Sequence, residues 1–281
     1  MGLFNNYAKP GRGISKEEAA RRNYFDIVGR HFFDLVKLNL LFVLCNIIFI
    51  AAAVLLALPY FWDSGANLSL LFSQKYVLLP PLPFVPFMFM SPFICGLTFV
   101  LRNWSRQEHA FLVSDFFEHT RKNWKQGLLL SMLSTVVVYV YLTAVLFYLR
   151  SGVSAFLVLV LAGILGIMLL SMSFYTYPMV VTFDMKLKDI LKNSWIFAMA
   201  KLPQNLFFLV VIGLVHGLLL YYTPILIWAI LMAVFLIAWS GFTMNYYAWH
   251  VINKHMVSQI EENKEAEETV FDDERQEDSV D

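Results

Sequence analysis

Four residues with metal-binding side chains lie close together in the middle of this 281-residue sequence, namely His109, Asp115, Glu118 and His119. Asp115 and His119 are four positions apart and share one face of a helix, and a carboxylate with an imidazole is a ligand pair for zinc or manganese. The HExxH pattern is missing, however, and the adjacent Arg121 and Lys122 would repel a cation. We therefore predict no metal, cofactor or catalytic residue, and interpret the segment as a helix at a membrane surface. A metal-dependent intramembrane enzyme is the alternative.

A single histidine, His216, stands inside a long apolar stretch between two glycines, Gly213 and Gly217. Glycines four positions apart let two helix backbones approach closely in a membrane. We interpret the pattern as close helix packing with His216 hydrogen-bonded to a neighbour. The alternative is a protonatable group that lines a polar pathway. The same stretch contains no Asp or Glu, which argues against a proton-coupled pump.

An amide and two prolines are the other unusual residues inside apolar stretches. Asn46 is placed most deeply, and we expect it to hydrogen-bond between helices; contact with sugar hydroxyls is the alternative. Pro92 frees the backbone carbonyl of Met88, and Pro178 frees that of Phe174. Freed carbonyls can build a solute site or a hinge, and they also occur in membrane helices without a transport role.

These side chains must be positioned by helices that lie in lipid. Hydrophobic residues make up 59% of the chain and charged residues 15%, against about 25% charged residues in soluble domains. A bilayer core roughly 30 Å thick needs about 20 apolar residues in a helix. The uncharged stretches that are long enough are Leu38–Leu58, Val77–Leu101, Gly127–Leu149, Val153–Phe183 and Leu202–Trp249. The last can cross twice if it breaks at Pro224, so the sequence predicts six spans.

The basic residues are sorted along the chain. Of the 21 Lys and Arg residues, 19 lie before the first span, after the second or fourth span, or in the C-terminal tail; the exceptions are Lys75 and Arg150. An excess of basic charge marks the cytoplasmic side of a membrane protein. We therefore expect both termini in the cytoplasm of a bacterial plasma membrane. Contact with an anionic inner leaflet explains the basic loops without nucleic acid.

Short polar and aromatic segments lead into the odd-numbered spans. Ser15-Lys16-Glu17-Glu18 has the form of a capping box at the start of an amphipathic helix, and residues 111–125 and 187–199 mix basic and aromatic residues. We predict an all-α membrane protein with three helical hairpins, each preceded by an amphipathic cytoplasmic helix. Residues 1–34 form the N-terminal cytoplasmic segment, 35–255 the transmembrane domain, and 256–281 an acidic, disordered cytoplasmic tail.

Three stretches of the chain resemble the YesL family of bacterial multi-pass membrane proteins. They are residues 7–14 with 32–41, residues 96–108 with the sequences Gly96-Leu97-Thr98 and Leu101-Arg102-Asn103, and residues 115–126. No catalytic or ligand-binding residue is established for that family, so the resemblance implies none in this chain. Similar proteins are commonly encoded beside carbohydrate-uptake and glycoside-degrading genes, which implies a sugar-utilisation context.

Together these features predict a non-catalytic accessory or regulatory component of carbohydrate uptake, with an ABC carbohydrate permease as the expected partner. The residues expected to contact the partner or lipid are Arg102, Trp104, Arg106, Trp124 and Lys125. The alternative is an autonomous transporter or channel for a neutral solute such as a sugar. In either case the residues of helix packing or of a polar pathway would be Gly213, His216, Gly217, Asn46, Pro92 and Pro178.

Overall fold

The computed structural model describes residues 23–62 and 82–258, and every regular element in these ranges is helical. The helices are α1 (Tyr24–Arg30), α2 (Phe32–Trp62), α3 (Ser91–Ser105), α4 (Leu112–Lys122), α5 (Trp124–Arg150), α6 (Ala155–Thr182), α7 (Leu187–Ala200), α8 (Leu202–Tyr222) and α9 (Ile225–Val257). A 3-10 helix, Leu82–Phe89, precedes α3. The predicted capping box at Ser15 and nearly all of the acidic tail lie outside the described residues. The all-α class is confirmed for the described part of the chain.

Five of these helices are long and apolar enough to cross a membrane, namely α2, α5, α6, α8 and α9. Only 11 to 17% of the residues in the most apolar stretch of each helix are buried inside the protein. The remaining apolar side chains face outward, where water would penalise them and lipid would not. Their length and composition are those of a membrane protein.

The second predicted span, Val77–Leu101, differs from the prediction of one regular helix. Its described part consists of the 3-10 helix, a turn at Met90, and α3, which has Pro92 in its first turn. Proline has no N–H to donate, and Pro86 lies inside the 3-10 helix, so regular α-helical bonding is interrupted there. The structure thus contains five long apolar helices and one composite segment in place of six equivalent spans.

Helix α3 lies at the centre of the bundle and packs against α2, α4, α5, α6 and α9. Eleven of its 15 residues are buried. Glycines make three of these contacts close. A Cβ atom would lie 2.3 Å from a backbone oxygen of α4 if added to Gly96, 3.0 Å from a sulfur of α3 if added to Gly127, and 2.8 Å from a leucine methyl of α3 if added to Gly241. Helices α4, α5 and α9 therefore each approach α3 at a position where no side chain fits.

Two of the predicted hairpins lie within the described residues. Helices α5 and α6 are joined by a tight turn in which Gly152 has a φ of +79°. Helices α8 and α9 are separated by Thr223 and Pro224, so the predicted break at Pro224 is confirmed. The short helices α4 and α7 precede α5 and α8, where lead-in helices were expected.

Helix α9 contains two π-helical turns, and the first, Met232–Leu236, is held by Asn39 of α2. The fully buried Asn39 donates from Nδ2 to the carbonyls of Met232 (2.9 Å) and Ala233 (2.7 Å), and its Oδ1 accepts from the N–H of Ala238 (2.7 Å). A π-helical turn disturbs the regular backbone bonding of a helix. One amide side chain supplies partners for three backbone groups at this turn and joins α2 to α9.

Candidate functional site

Two of the predicted pathway residues, Pro178 and His216, line a cavity between α2, α3, α6, α8 and α9. The cavity has a volume of about 420 Å³. Its wall is mainly apolar, and the polar side chains in it are Thr98, Ser173, Tyr177, His216, Ser240 and Asn245. Because the surrounding helices are the long apolar ones, this cavity lies within the part of the molecule suited to lipid.

His216 is hydrogen-bonded through both ring nitrogens. The indole N–H of Trp228 donates to Nδ1 over 3.3 Å, and Nε2 lies 3.0 Å from Oγ of Ser240. Since Nδ1 accepts, the proton of the neutral ring is on Nε2 and is donated to Ser240. Both partners belong to α9, so His216 joins α8 to α9. The cavity wall formed by described residues contains no Asp or Glu that could exchange a proton with it.

Asn46 and Asn245 differ from the expected bonding between helices. In each, Nδ2 donates to the carbonyl four residues earlier in its own helix, at 2.8 Å, and the buried Oδ1 has no hydrogen-bond partner among the described residues. Asn245 lines the cavity, whereas Asn46 lies outside its wall. Asn205 of α8 does bond between helices, because its Oδ1 accepts from the Tyr175 hydroxyl of α6 over 2.6 Å.

The remaining residues of the predicted pathway have other positions. No described residue lies within 4 Å of a Cβ added to Gly213 or Gly217, so these glycines do not form the close helix contact expected within the chain. Pro92 begins α3, and the Met88 carbonyl accepts a hydrogen bond from the Ser131 hydroxyl of α5. Helix α6 continues through Pro178 to its end at Thr182.

Arg102, expected at a docking surface, is 7% exposed at the end of α3. Its Nη1 donates to the carbonyl of Val181 (2.9 Å) and to Oγ1 of Thr182 (2.8 Å), while Nε and Nη2 donate to Oδ1 of Asn103 (3.2 and 2.8 Å). All four acceptors are neutral. A cation at the last carbonyls of a helix is electrostatically favourable, and Arg102 thereby joins α3 to the end of α6.

Trp104 and Arg106 also contact the protein itself. Trp104 is buried, and its ring stacks on His31 with 5.0 Å between ring centroids. Burial lowers the pKa of His31, so the neutral imidazole is favoured in this stack. Arg106 pairs with Glu108 (Nη2 to Oε1, 2.6 Å) and covers the ring of Trp249 at 4.0 Å. These two residues stabilise the junction of α2, α3 and α9.

Trp124 and Lys125, by contrast, are exposed at the start of α5. The ammonium of Lys125 lies 5.7 Å from the centroid of the Trp124 ring. Both residues line a second cavity, which is separate from the one at His216. Of the five residues expected to contact a partner or lipid, these two are the ones with exposed side chains.

The side chains of the possible metal site have structural contacts. Oδ2 of Asp115 accepts from the N–H of Phe111 at 2.8 Å, and His119 stacks on Phe99 with 3.3 Å between ring centroids. Burial lowers the pKa of His119, and the nearby Glu118 carboxylate opposes this shift. Among the described residues, no group of three or more His, Cys, Asp or Glu side chains could hold a metal ion.

The long apolar helices, the buried polar bonds between them and the apolar outer surface define a multi-span helical membrane protein. Residues 35–145, less than half of the chain, match the family model DUF624, described as a protein of unknown function. The matched stretch extends from α2 into α5 and includes the central helix α3. Comparison with curated proteins and with solved structures finds no match.

Proposed function

We propose that this chain is a bacterial plasma-membrane protein that acts, without catalysis of its own, as an accessory component of carbohydrate uptake. The sorting of 19 of its 21 basic residues supports an orientation with both termini in the cytoplasm. The resemblance to the YesL family supports the sugar-utilisation context, and an ABC carbohydrate permease is the proposed partner.

The positions of the two described chain ends support six crossings. The hydroxyl of Tyr24 in α1 lies 2.7 Å from Oγ1 of Thr243 in the second half of α9, so the two ends of the chain lie on the same side of the bundle. Five crossings would place them on opposite sides. Leu82–Ser105 is roughly 38 Å long, because a 3-10 helix rises about 2.0 Å per residue, and this exceeds the hydrocarbon thickness. We take this composite segment as the remaining crossing.

The observation that carries the accessory role over a sugar pathway is the character of the 420 Å³ cavity. A sugar loses its hydrogen bonds to water when it enters an apolar space, and each unpaired hydroxyl costs free energy. The polar side chains in the wall largely bond to one another or to their own helices, as His216 does to Ser240. The sugar pathway is therefore assigned to the partner.

The proposed contact surface is the exposed aromatic side of α4 and of the first turn of α5. Phe111, Phe117 and Trp124 are 67, 44 and 48% exposed. Exposed aromatic residues beside basic ones are enriched at protein interfaces. Lys122 and Lys125 lie next to them in the sequence and add the basic charge.

The test is crosslinking and affinity capture from native membranes of cells grown on different polysaccharides. Wild type should capture one permease on one carbon source, and a Phe111→Ala/Trp124→Ala variant should capture at least about fivefold less, as expected for lost interface anchors. The matched control is Phe147→Ala/Phe156→Ala, which removes two equally exposed aromatic residues beside the α5–α6 turn. Equal capture by both variants would contradict the proposed surface, and capture of no permease would contradict the accessory role.

The alternative function, passage of a neutral solute through this protein alone, is favoured by one observation. The unpaired Oδ1 of Asn245 lies in the cavity wall beside the His216–Ser240 pair, where a solute hydroxyl could donate to it. The test is uptake of labelled neutral sugars into liposomes that contain only this protein. Uptake that Asn245→Leu or His216→Ala abolishes would establish the alternative; uptake no faster than in empty liposomes would exclude it.

A further inference from the structure

The second cavity lies where α4 ends, α5 begins and α6 ends, and it has a volume of about 630 Å³. Its wall is polar, unlike that of the first cavity. The side chains that matter here are His119, Lys122, Asn123, Trp124, Lys125 and Asp184. Lys122, Trp124 and Lys125 are exposed, so the cavity is accessible from outside the protein.

Positive charge dominates this cavity. Two ammonium groups, Lys122 and Lys125, face a single carboxylate, Asp184. Behind the wall, buried Arg102 donates to Val181 and Thr182, which themselves line the cavity. Because every hydrogen bond of Arg102 goes to a neutral acceptor, its charge is not cancelled by those bonds. A buried charge is only weakly screened, so it adds to the field in the cavity.

The first turn of α5 adds N–H donors to the same place. Trp124, Lys125 and Gln126 begin this 27-residue helix, and its N-cap residue Asn123 makes no capping bond with its side chain. The backbone N–H groups of such a turn carry partial positive charge and bind anions. The side chain of Gln126 is engaged elsewhere, donating to the carbonyl of Met185 over 3.1 Å, and it fixes the segment after α6 against α5.

We propose that this cavity binds a phosphate group, carried by an anionic lipid headgroup or by a soluble phosphate compound. Two ammonium groups, a helix N-terminus and an uncancelled buried guanidinium are a phosphate-binding combination. Helix α5 crosses the membrane, so its first turn lies at the depth of the lipid phosphates, and Trp124 is the residue type that marks this depth. The site goes beyond the proposed function, because it operates with or without a permease partner.

The lipid arm of the test uses the full chain in nanodiscs of phosphatidylcholine and phosphatidylglycerol at about 3:1, with the retained lipids counted by native mass spectrometry. Wild type should retain phosphatidylglycerol in preference to phosphatidylcholine. A Lys122→Gln/Lys125→Gln variant should lower that preference about 20-fold, since each lysine near an anionic lipid surface contributes about fivefold. The control is Lys188→Gln/Lys192→Gln, which removes the same charge from exposed positions on α7, outside the cavity. Equal melting temperatures of the two variants show that both are folded.

The soluble arm uses nanodiscs of phosphatidylcholine alone and equilibrium dialysis with labelled inorganic phosphate. Phosphate binding by wild type that the cavity variant loses and the α7 variant keeps would support the site and identify a soluble ligand. The proposal is overturned if neither arm distinguishes the cavity variant from the α7 variant. Permease capture is measured separately, so failure here would leave the proposed function standing.

Discussion

The surroundings of α3 and the α5–α6 hairpin are held together in different ways. Around α3, glycines bring backbones into contact, and polar side chains such as Asn39 and Arg102 bond between helices. Between the outer halves of α5 and α6 lies an apolar groove of about 730 Å³, lined by Val, Leu and Ala side chains. One hydrogen bond in this hairpin joins the Tyr141 hydroxyl to the carbonyl of Ala162 (2.9 Å).

This contrast follows from the solvent. Lipid tails are as apolar as leucine, so burial of apolar side chains does not drive membrane helices together. Helices stay in contact where small residues allow dense packing or where polar groups need partners, and lipid can fill the other gaps. The region around α3 should therefore carry most of the stability, and the predictions below test this difference.

The largest difference is expected between two glycine substitutions. Gly96→Ala places a Cβ atom 2.3 Å from the backbone oxygen of Phe116 and 2.3 Å from Oγ1 of Thr120, so α3 and α4 must separate. We expect a loss of about 3 kcal/mol in the free energy of unfolding. Gly213→Ala meets no described atom within 4 Å and should change stability by about 0.5 kcal/mol or less. Thermal midpoints in detergent, followed by size-exclusion chromatography, measure both; equal midpoints would contradict the role of α3.

A smaller difference is expected between two buried amides of α2. Asn39→Leu removes three hydrogen bonds to the π-helical turn and leaves its backbone groups unpaired, at a cost of about 2 kcal/mol. Asn46→Leu removes an amide that bonds only within its own helix and has an unpaired oxygen, so it should cost less than about 0.5 kcal/mol. Unfolding in mixed micelles with increasing dodecyl sulfate gives both values. A larger effect of Asn46→Leu would show that Asn39 does not fix α9.

The smallest difference compares two tyrosines directly across the two regions. Tyr175→Phe leaves the buried Oδ1 of Asn205 without its 2.6 Å hydrogen bond and should cost about 1 kcal/mol. Tyr141→Phe removes the one bond described above in the α5–α6 hairpin, where the carbonyl of Ala162 keeps its place in a helix, and should cost about 0.5 kcal/mol or less. The same micelle titration applies. If Tyr141→Phe were the more damaging change, the hairpin would depend on this polar contact.

The long helices were predictable because lipid imposes one requirement on all of them. Uncharged stretches of sufficient length identified α2, α5, α6, α8 and α9, and Pro224 identified the break between the last two. The second span failed because local backbone chemistry also matters. Pro86 disrupts α-helical bonding in a stretch whose hydropathy alone is typical of a regular span.

The site was only partly predictable because contacts depend on what lies opposite. The spacing of Gly213 and Gly217 permits a close contact, but no described helix faces them, whereas Gly96 and Gly241 match no motif and do face one. Arg102 follows an apolar run, a position typical of residues that anchor to headgroups. Its burial depends on the end of α6, about 80 residues later, which no local pattern indicates. The bonding expected for His216 was found because few apolar neighbours can satisfy an imidazole.

The π-helical turn of α9 also sets the angular phase of the last helix. Such a turn corresponds to one extra residue in an α-helix, and each residue turns the helix by about 100°. Deleting one residue between Met232 and Leu236 would rotate the rest of α9 by about that angle. Phe242 and Ala248, now fully buried, would turn toward lipid, and the side of α9 that meets α3 would change. The length of this segment is therefore as constrained as its composition, and a one-residue deletion here should be far more harmful than most substitutions.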